Sequence, residues 1–330
     1  MTVFLTHTPE AFAGYYGERA RAALQAMTEV RMNPTGRVLS PEDLAREAQG
    51  CAIIVSDRQT AAPAEFFAAA PESLVAYLRC AVDIRNIDVA AASRAGILVT
   101  RATPGFAASV AELALGYMVD LARGVSSAVL DYRAGRVPQA RMGRQLGGST
   151  LGIIGYGVIA QHLARIAVAI GMRVLVNDPY KTITDEGVTQ TSQGEVLREA
   201  DFLVCLAVAT EETENLMDAS AFAAMKPSAF FINLARGNLV DEGALAEALD
   251  AGRIAGAAMD VGRAPDQMPS PTLARRADVV ATPHTGGLTP SAVEHQAFDT
   301  VEQVRALLAG AVPPGAVNAV EATRLSRLRG

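Results

Sequence analysis

Residues 151 to 178 hold the pattern that most restricts what this chain can fold into. The apolar run Leu151–Ile154 leads directly into Gly155-Tyr156-Gly157-Val158-Ile159-Ala160. An apolar stripe at helical spacing follows (Ile159, Leu163, Ile166, Ala167, Ile170), and a second apolar run closes on Asp178. Glycines in a turn are common by themselves. A strand before them, a helix after them and an acid ending the next strand are the context of a dinucleotide-binding βαβ unit. Gly155 permits the tight turn, and Gly157, with Val158 and Ile159 at the helix start, lets main-chain amides approach a pyrophosphate. The small Ala160 allows close helix–strand packing. The positive helix end favours the phosphate charge. A carboxylate at Asp178 accepts hydrogen bonds from the adenosine ribose and repels a 2′-phosphate, so the expected cofactor is NAD rather than NADP. Lys181 is close enough to soften that preference but not to reverse it.

The same alternation runs through the rest of the chain. Before residue 105, Val3–Thr6, Cys51–Val55, Leu74–Leu78 and Ile97–Thr100 read as strands, with helix patterns at Pro41–Ala48, Ala64–Ala70 and Asp88–Ala95 between them. A long amphipathic stretch covers Ala107 to Arg123, and Tyr132–Gly148 reads as a surface loop. A second series places strands at Leu151–Ile154, Val174–Asp178, Phe202–Leu206, Phe230–Leu234, Ala255–Val261 and Val279–Thr282. Helices start near Val158, Glu195, Ala219 and Asp241, and a last helix, Pro290–Leu308, leads to a tail at Ala311–Gly330. Short continuous apolar strands separated by helices indicate parallel sheets covered on both faces. The expected class is α/β, with two doubly wound parallel-sheet domains.

Composition narrows the partners. Half of the 330 residues are hydrophobic and 19% are charged, which is too apolar for extended disorder. The net charge of −6 argues against a nucleic-acid or anionic-membrane surface. Cys51, Cys80 and Cys205 lie far apart without CxxC spacing, so no zinc site follows. The first residues lack a basic stretch followed by a long apolar one, and no apolar run approaches the ~20 residues that span a bilayer. A cytoplasmic protein without nucleic-acid or membrane partners is expected.

From here the sequence closely resembles the D-isomer-specific 2-hydroxyacid dehydrogenases, over nearly its whole length. Leu151–Ala160 looks like the family's cofactor loop, and Ile232-Asn-Leu-Ala-Arg-Gly237 with Val240-Asp241 looks like its arginine segment. Gly256-Ala-Ala-Met-Asp-Val261 and Thr282-Pro-His-Thr-Gly-Gly287 look like the segments that complete the site. Asn86-Ile87-Asp88, Gly96-Ile97 and Ser109-Val110-Ala111-Glu112 match a weaker N-terminal pattern. The resemblance implies a flavodoxin-like substrate domain, 1–104 with 288–330, into which a Rossmann NAD-binding domain, 105–287, is inserted. It also implies a homodimer built on the helix near Val110 and an active site in the cleft between domains.

Oxidising a 2-hydroxy acid to its 2-oxo acid requires a hydride acceptor, a base for the hydroxyl proton and a cation for the carboxylate. Side chains carry no hydride, so NAD supplies the first. His284 is the expected acid/base, since imidazole exchanges protons near neutral pH. It follows a strand, whereas His7, His162 and His295 lack a motif and read as surface or packing residues. Arg236 is the expected anchor for carboxylate and carbonyl oxygen, its planar fork suiting two-point recognition. By resemblance Asp260 receives the nicotinamide carboxamide, and Ala235 and Gly286 also touch the cofactor.

Two departures from the family bear on function. The family sets a Glu against the histidine, five residues past the position of Asp260; here that residue is Pro265, and the neighbouring Asp266 is the candidate to reach round. With no charged partner for the imidazolium, reductive activity is expected to fade at lower pH than in typical relatives. The family's substrate loop carries glycines whose amides hold the carboxylate; here it reads Cys80-Ala81-Val82-Asp83-Ile84-Arg85. Ala81 and Val82 are the candidate substrate contacts, Asp83 would repel an acid if it pointed inward, and Arg101 could add a second cation. Two other readings share the scaffold: an NAD(H)-binding regulatory protein, and a dehydrogenase with a different hydride donor such as formate or phosphite.

Overall fold

The computed structural model describes residues 1–329, and the chain folds as two units: Met1–Gly105 with the chain from Thr289 onward, and Phe106–Leu288. The first unit runs β1 (Thr2–Leu5), α1 (Pro9–Tyr15), α2 (Glu18–Gln25), β2 (Glu29–Met32), α3 (Pro41–Glu47), β3 (Ile53–Ser56), α4 (Ala64–Ala68), β4 (Ala76–Arg79), α5 (Val89–Arg94) and β5 (Leu98–Arg101). Its five strands are all parallel in the order β2-β1-β3-β4-β5, the flavodoxin-like winding. Alternation along the strands explains why both faces are covered. Val3, Leu5, Ile53 and Val55 enter one core, and Phe4, Ile54 and Tyr77 enter the other with Leu44 and Phe66.

The second unit runs α6 (Ala107–Arg123), α7 (Val125–Arg133), β6 (Thr150–Ile154), α8 (Val158–Ala169), β7 (Arg173–Asn177), β8 (Val188–Gln190), α9 (Gln193–Glu199), β9 (Phe202–Cys205), α10 (Ala219–Ala224), β10 (Phe230–Asn233), α11 (Glu242–Asp250), β11 (Gly256–Met259), α12 (Pro271–Ala274) and β12 (Val279–Ala281). The seven strands are parallel in the order β12-β11-β10-β9-β6-β7-β8, the Rossmann winding with one strand added. Leu151, Ile153, Val174 and Val176 face α6 and α8 through Val110, Met118 and Leu163. Ile154, Leu175 and Leu203 face α9–α11 through Val196, Phe222 and Leu245. The chain then returns to the first unit as α13 (Pro290–Leu308), capped by Thr289, whose Ala297, Val301 and Val304 complete the core around Val3 and Leu5.

The expected α/β class with two doubly wound parallel sheets is what the chain adopts. Several elements differ from the sequence reading. The strand expected at Leu74–Leu78 begins two residues later, because the Leu74 amide closes a turn on the Pro71 carbonyl. The loop expected from Tyr132 begins only after Arg133, since α7 precedes it. That helix buries none of its residues, so no apolar face marks it. β2 and β8 are edge strands, half exposed, and lack the apolar runs of the others. Among the described residues no single helix is long and apolar enough to cross a membrane.

Candidate active site

The turn from β6 into α8 is shaped by two glycines with different tasks. Gly155 has φ +88°, and a Cβ there would lie 2.6 Å from the Ala207 Cα. That approach places the turn where the strand order reverses between β6 and β9, the crevice in which such sheets bind ligands. Gly157 has ordinary φ, and a Cβ on it would meet nothing within 4 Å. It caps α8 without any side-chain hydrogen bond. The first amides of a helix have no partner within it, so those of Val158 and Ile159 have none from a cap either. An open main-chain cradle at a positive helix end fits a pyrophosphate.

Asp178, just after β7, closes the same turn. Its Oδ2 accepts the Tyr156 amide at 2.7 Å and its Oδ1 the Tyr180 amide at 2.9 Å. A carboxylate has about four acceptor positions, so capacity remains for ribose hydroxyls. Lys181 Nζ donates to the Tyr156 carbonyl at 2.7 Å. The residues at this turn therefore fit an NAD adenosine and pyrophosphate.

After β10, the buried Asn233 folds the chain back: its Oδ1 accepts the Ala235 amide at 3.1 Å and its Nδ2 donates to the Arg236 carbonyl at 3.0 Å. Arg236 is left exposed, with Nη1 donating to the Ala235 carbonyl at 2.7 Å. Gly237 lies on Gly262 so closely that a Cβ would sit 2.0 Å from its carbonyl oxygen, which fixes the arginine turn against the chain leaving β11.

Asp260, 3% exposed at the end of β11, anchors the histidine loop. Its carboxylate accepts from the Thr282 hydroxyl, from the Thr285 amide at 2.8 Å and from the Gly286 amide at 2.8 Å. The Tyr117 hydroxyl meets Thr282 from α6. A Cβ on Gly286 would lie 2.9 Å from Asp260 Oδ2, so glycine is what lets that amide approach. Asp260 and Gly286 thus hold one another, and most of the carboxylate's capacity is taken by protein donors.

His284 stands in this loop at φ +53°, its amide bonded to the Asp260 carbonyl at 2.9 Å. Its Nδ1 lies 3.0 Å from the main-chain carbonyl oxygen of Asp266. The atom of Asp266 that meets the imidazole is therefore in the backbone, not the carboxylate that the sequence suggested. Pro265 is exposed beside it.

The substrate-loop candidates lie in the first unit, just after β4. Ala81 is buried, and its carbonyl accepts the Ala102 amide at 3.0 Å; Val82 is half-buried. Asp83 is exposed and gripped by Arg85, with Nη2 to Oδ2 at 2.6 Å, which holds its carboxyl down at about 2. Its charge is thereby met locally. Arg101 is exposed at the end of β5. The sequence reading missed Arg79, a buried guanidinium that donates to the carbonyls of Asp57, Arg58, Thr60 and Asp83 and so shapes this loop. Arg58, Arg79, Asp83, Arg85 and Asn86 line a cavity of about 340 Å³. His7, read as a surface or packing residue, is 2% exposed and packs on Tyr16. Burial pushes its imidazole down to about 4.

Comparison with known proteins gives a concordant result. Residues 115–286 match the model of the family described as D-isomer specific 2-hydroxyacid dehydrogenase, NAD binding domain. A D-3-phosphoglycerate dehydrogenase of Synechocystis is 37% identical over 73% of this chain and 44% of its own length. The chain spans about half the length of the phosphoglycerate dehydrogenases it matches. A hydroxypyruvate reductase of Thermotoga maritima is 32% identical over 284 residues, 84% of this chain and 92% of its own length. The NAD-complexed D-isomer specific 2-hydroxyacid dehydrogenase of Lactobacillus delbrueckii superposes with a TM-score of 0.81 at 24% identity, covering 96% of this chain and 99% of that one.

Proposed function

Since the chain belongs to the D-isomer specific 2-hydroxyacid dehydrogenase family, we propose that it interconverts a D-2-hydroxy acid and its 2-oxo acid with NAD. The observation that carries this reading is the fixed His284: a half-buried imidazole held at Nδ1, leaving Nε2 to exchange a proton. The second unit is the cofactor domain in this reading, and the first is the substrate domain. Gly155, Gly157, Val158 and Ile159 cradle the pyrophosphate, and Asp178 takes the ribose hydroxyls. Ala235, Asp260 and Gly286 border the nicotinamide end. When bound, NAD accepts or returns the hydride.

In the oxidative direction His284 Nε2 takes the hydroxyl proton; in the reductive direction the imidazolium returns it to the carbonyl oxygen. The Arg236 guanidinium pairs with the carboxylate and steadies negative charge growing on the reacting oxygen. Ala81 and Val82 are assigned to the carboxylate through their main chain, and with Asp83 neutralised by Arg85 nothing at that loop need repel an acid. The protein acts as a homodimer in this reading. Support comes from α7, which buries nothing and exposes Leu130 and Tyr132 at 62% and 67%.

The test is to mix the protein with NADH and a panel of 2-oxo acids and follow NADH absorbance. Turnover that disappears in His284→Ala is expected. Tight NADH binding with no turnover on any acid would overturn the enzyme reading in favour of a regulatory one.

A further inference from the structure

The family resemblance implies a glutamate side chain against the histidine, and this chain has Pro265 in that place. The structure answers with main chain. Asp266 and Gln267 both have left-handed backbones, φ +56° and +58°, an arrangement that non-glycine residues adopt rarely and in succession hardly ever. The turn is closed by the Gly262 amide on the Gln267 carbonyl at 2.8 Å and by the Ala264 amide on the Met268 carbonyl at 3.1 Å. Its product is a carbonyl aimed at an imidazole. His284 too is left-handed, so three strained residues meet at one hydrogen bond.

We propose that the main-chain carbonyl of Asp266 is the positioning group for the His284 imidazole, replacing the carboxylate side chain of relatives. The proposal rests on His284 being the acid/base. A carbonyl oxygen only accepts, so Nδ1 must carry a proton in this contact and neutral His284 is the Nδ1–H tautomer. Nε2 then presents its lone pair, and the bond at Nδ1 survives when Nε2 is protonated. Orientation is thus kept through both halves of the proton transfer by an uncharged acceptor.

Several ionisable groups lie on the segments around this loop. The Asp260 carboxylate is occupied by Thr282, Thr285 and Gly286, Tyr117 meets Thr282, and Arg236, Arg263 and Asp266 have exposed side chains. None of them is the imidazole's hydrogen-bonding partner at Nδ1; that partner is uncharged.

Nitrogen-15 NMR of the histidine rings in the protein without substrate reads the tautomer directly, with His284 assigned by the signal lost in His284→Gln. The Nδ1–H tautomer is expected in the wild type and also in Asp266→Asn, since asparagine tolerates the left-handed backbone and keeps the carbonyl. An Nε2–H tautomer in the wild type, or its appearance in Asp266→Asn, overturns the proposal; the second result would make the carboxylate the partner. A kinetic arm adds the missing charge. Pro265→Glu should move the low-pH limb of 2-hydroxy acid oxidation upward by about one pH unit or more, because a nearby carboxylate favours the imidazolium, and Pro265→Gln should not. Equal shifts in both variants overturn the proposal. The NMR arm stands whether or not a substrate is found, so its failure is distinct from failure of the proposed function.

Discussion

The carboxylate of Asp260 and the amide of Gly286 meet at 2.8 Å, and a single methyl group on Gly286 would end the approach. With the Thr285 amide on the other oxygen and the His284 amide on the Asp260 carbonyl, one aspartate fixes the loop that carries His284, the proposed acid/base. Asp260→Ala strands the Thr285 and Gly286 amides and leaves the Thr282 hydroxyl with Tyr117 alone. Each unsatisfied buried group costs about 1–3 kcal/mol, so a stability loss of about 3 kcal/mol or more is expected in urea denaturation. Turnover should fall about a hundredfold as the imidazole drifts by an ångström. A hundredfold loss with unchanged stability would move Asp260 from loop anchor to ligand contact alone.

Gly157 and Gly155 separate binding from folding. Gly157→Ala adds a methyl where nothing lies within 4 Å, so the melting temperature should stay within a degree or two while NADH affinity falls about tenfold or more, as measured by nucleotide fluorescence. Gly155→Ala is expected to lose stability outright, because its φ is +88° and the added atom meets the Ala207 main chain. Equal affinity for NADH in Gly157→Ala would remove the cradle from the mechanism.

The contrast explains what could be read from the sequence. The β6–α8 turn was legible because its backbone admits only certain residue types: a left-handed angle and a close strand at residue 155, an approach for amides at 157, an acid at 178. Strands with both faces buried announced themselves as apolar runs, whereas β2, with its half-exposed Glu29-Val30-Arg31-Met32, and α7, with no face to bury, left no such mark. The Asp266 contact was hidden for a deeper reason. Every residue has a carbonyl, and only the sign of two dihedral angles decides that this one turns toward His284. For Asp83 the sequence left the direction open, and the partner that settles its charge, Arg85, stands two residues on.

Asp178 is expected to set cofactor choice through its charge. Asp178→Asn keeps the shape of the turn but presents an amide to donors that now face a carboxylate, and it removes the repulsion of a 2′-phosphate. Charges about 4 Å apart near a protein surface interact by up to about 4 kcal/mol. Discrimination between NADH and NADPH, measured as the ratio of their dissociation constants, should therefore narrow by at least about tenfold. A ratio that stays fixed would place the selectivity elsewhere.

His7 gives the first unit an acid-sensitive core. The ring is buried against Tyr16, and its protonated form is disfavoured chiefly by desolvation, with Asp57 opposing that effect and Arg79 adding to it. The folded value of about 4 lies below the ordinary 6.5, so the unfolded chain binds the proton more readily. The stabilising effect of a neutral His7 is therefore complete above about pH 6.5 and is lost as pH falls through about 4. Over that window the linked loss is at most about 3.5 kcal/mol, at roughly 1.4 kcal/mol per unit. His7→Phe keeps an aromatic ring on Tyr16 but cannot take up the proton. Urea midpoints at pH 7.5 and pH 4.5 should converge in that variant relative to the wild type, whose carboxylates titrate equally in both proteins. If the two proteins lose the same stability between those pH values, the imidazole takes up its proton as readily in the fold as in the unfolded chain, and burial does not hold it neutral.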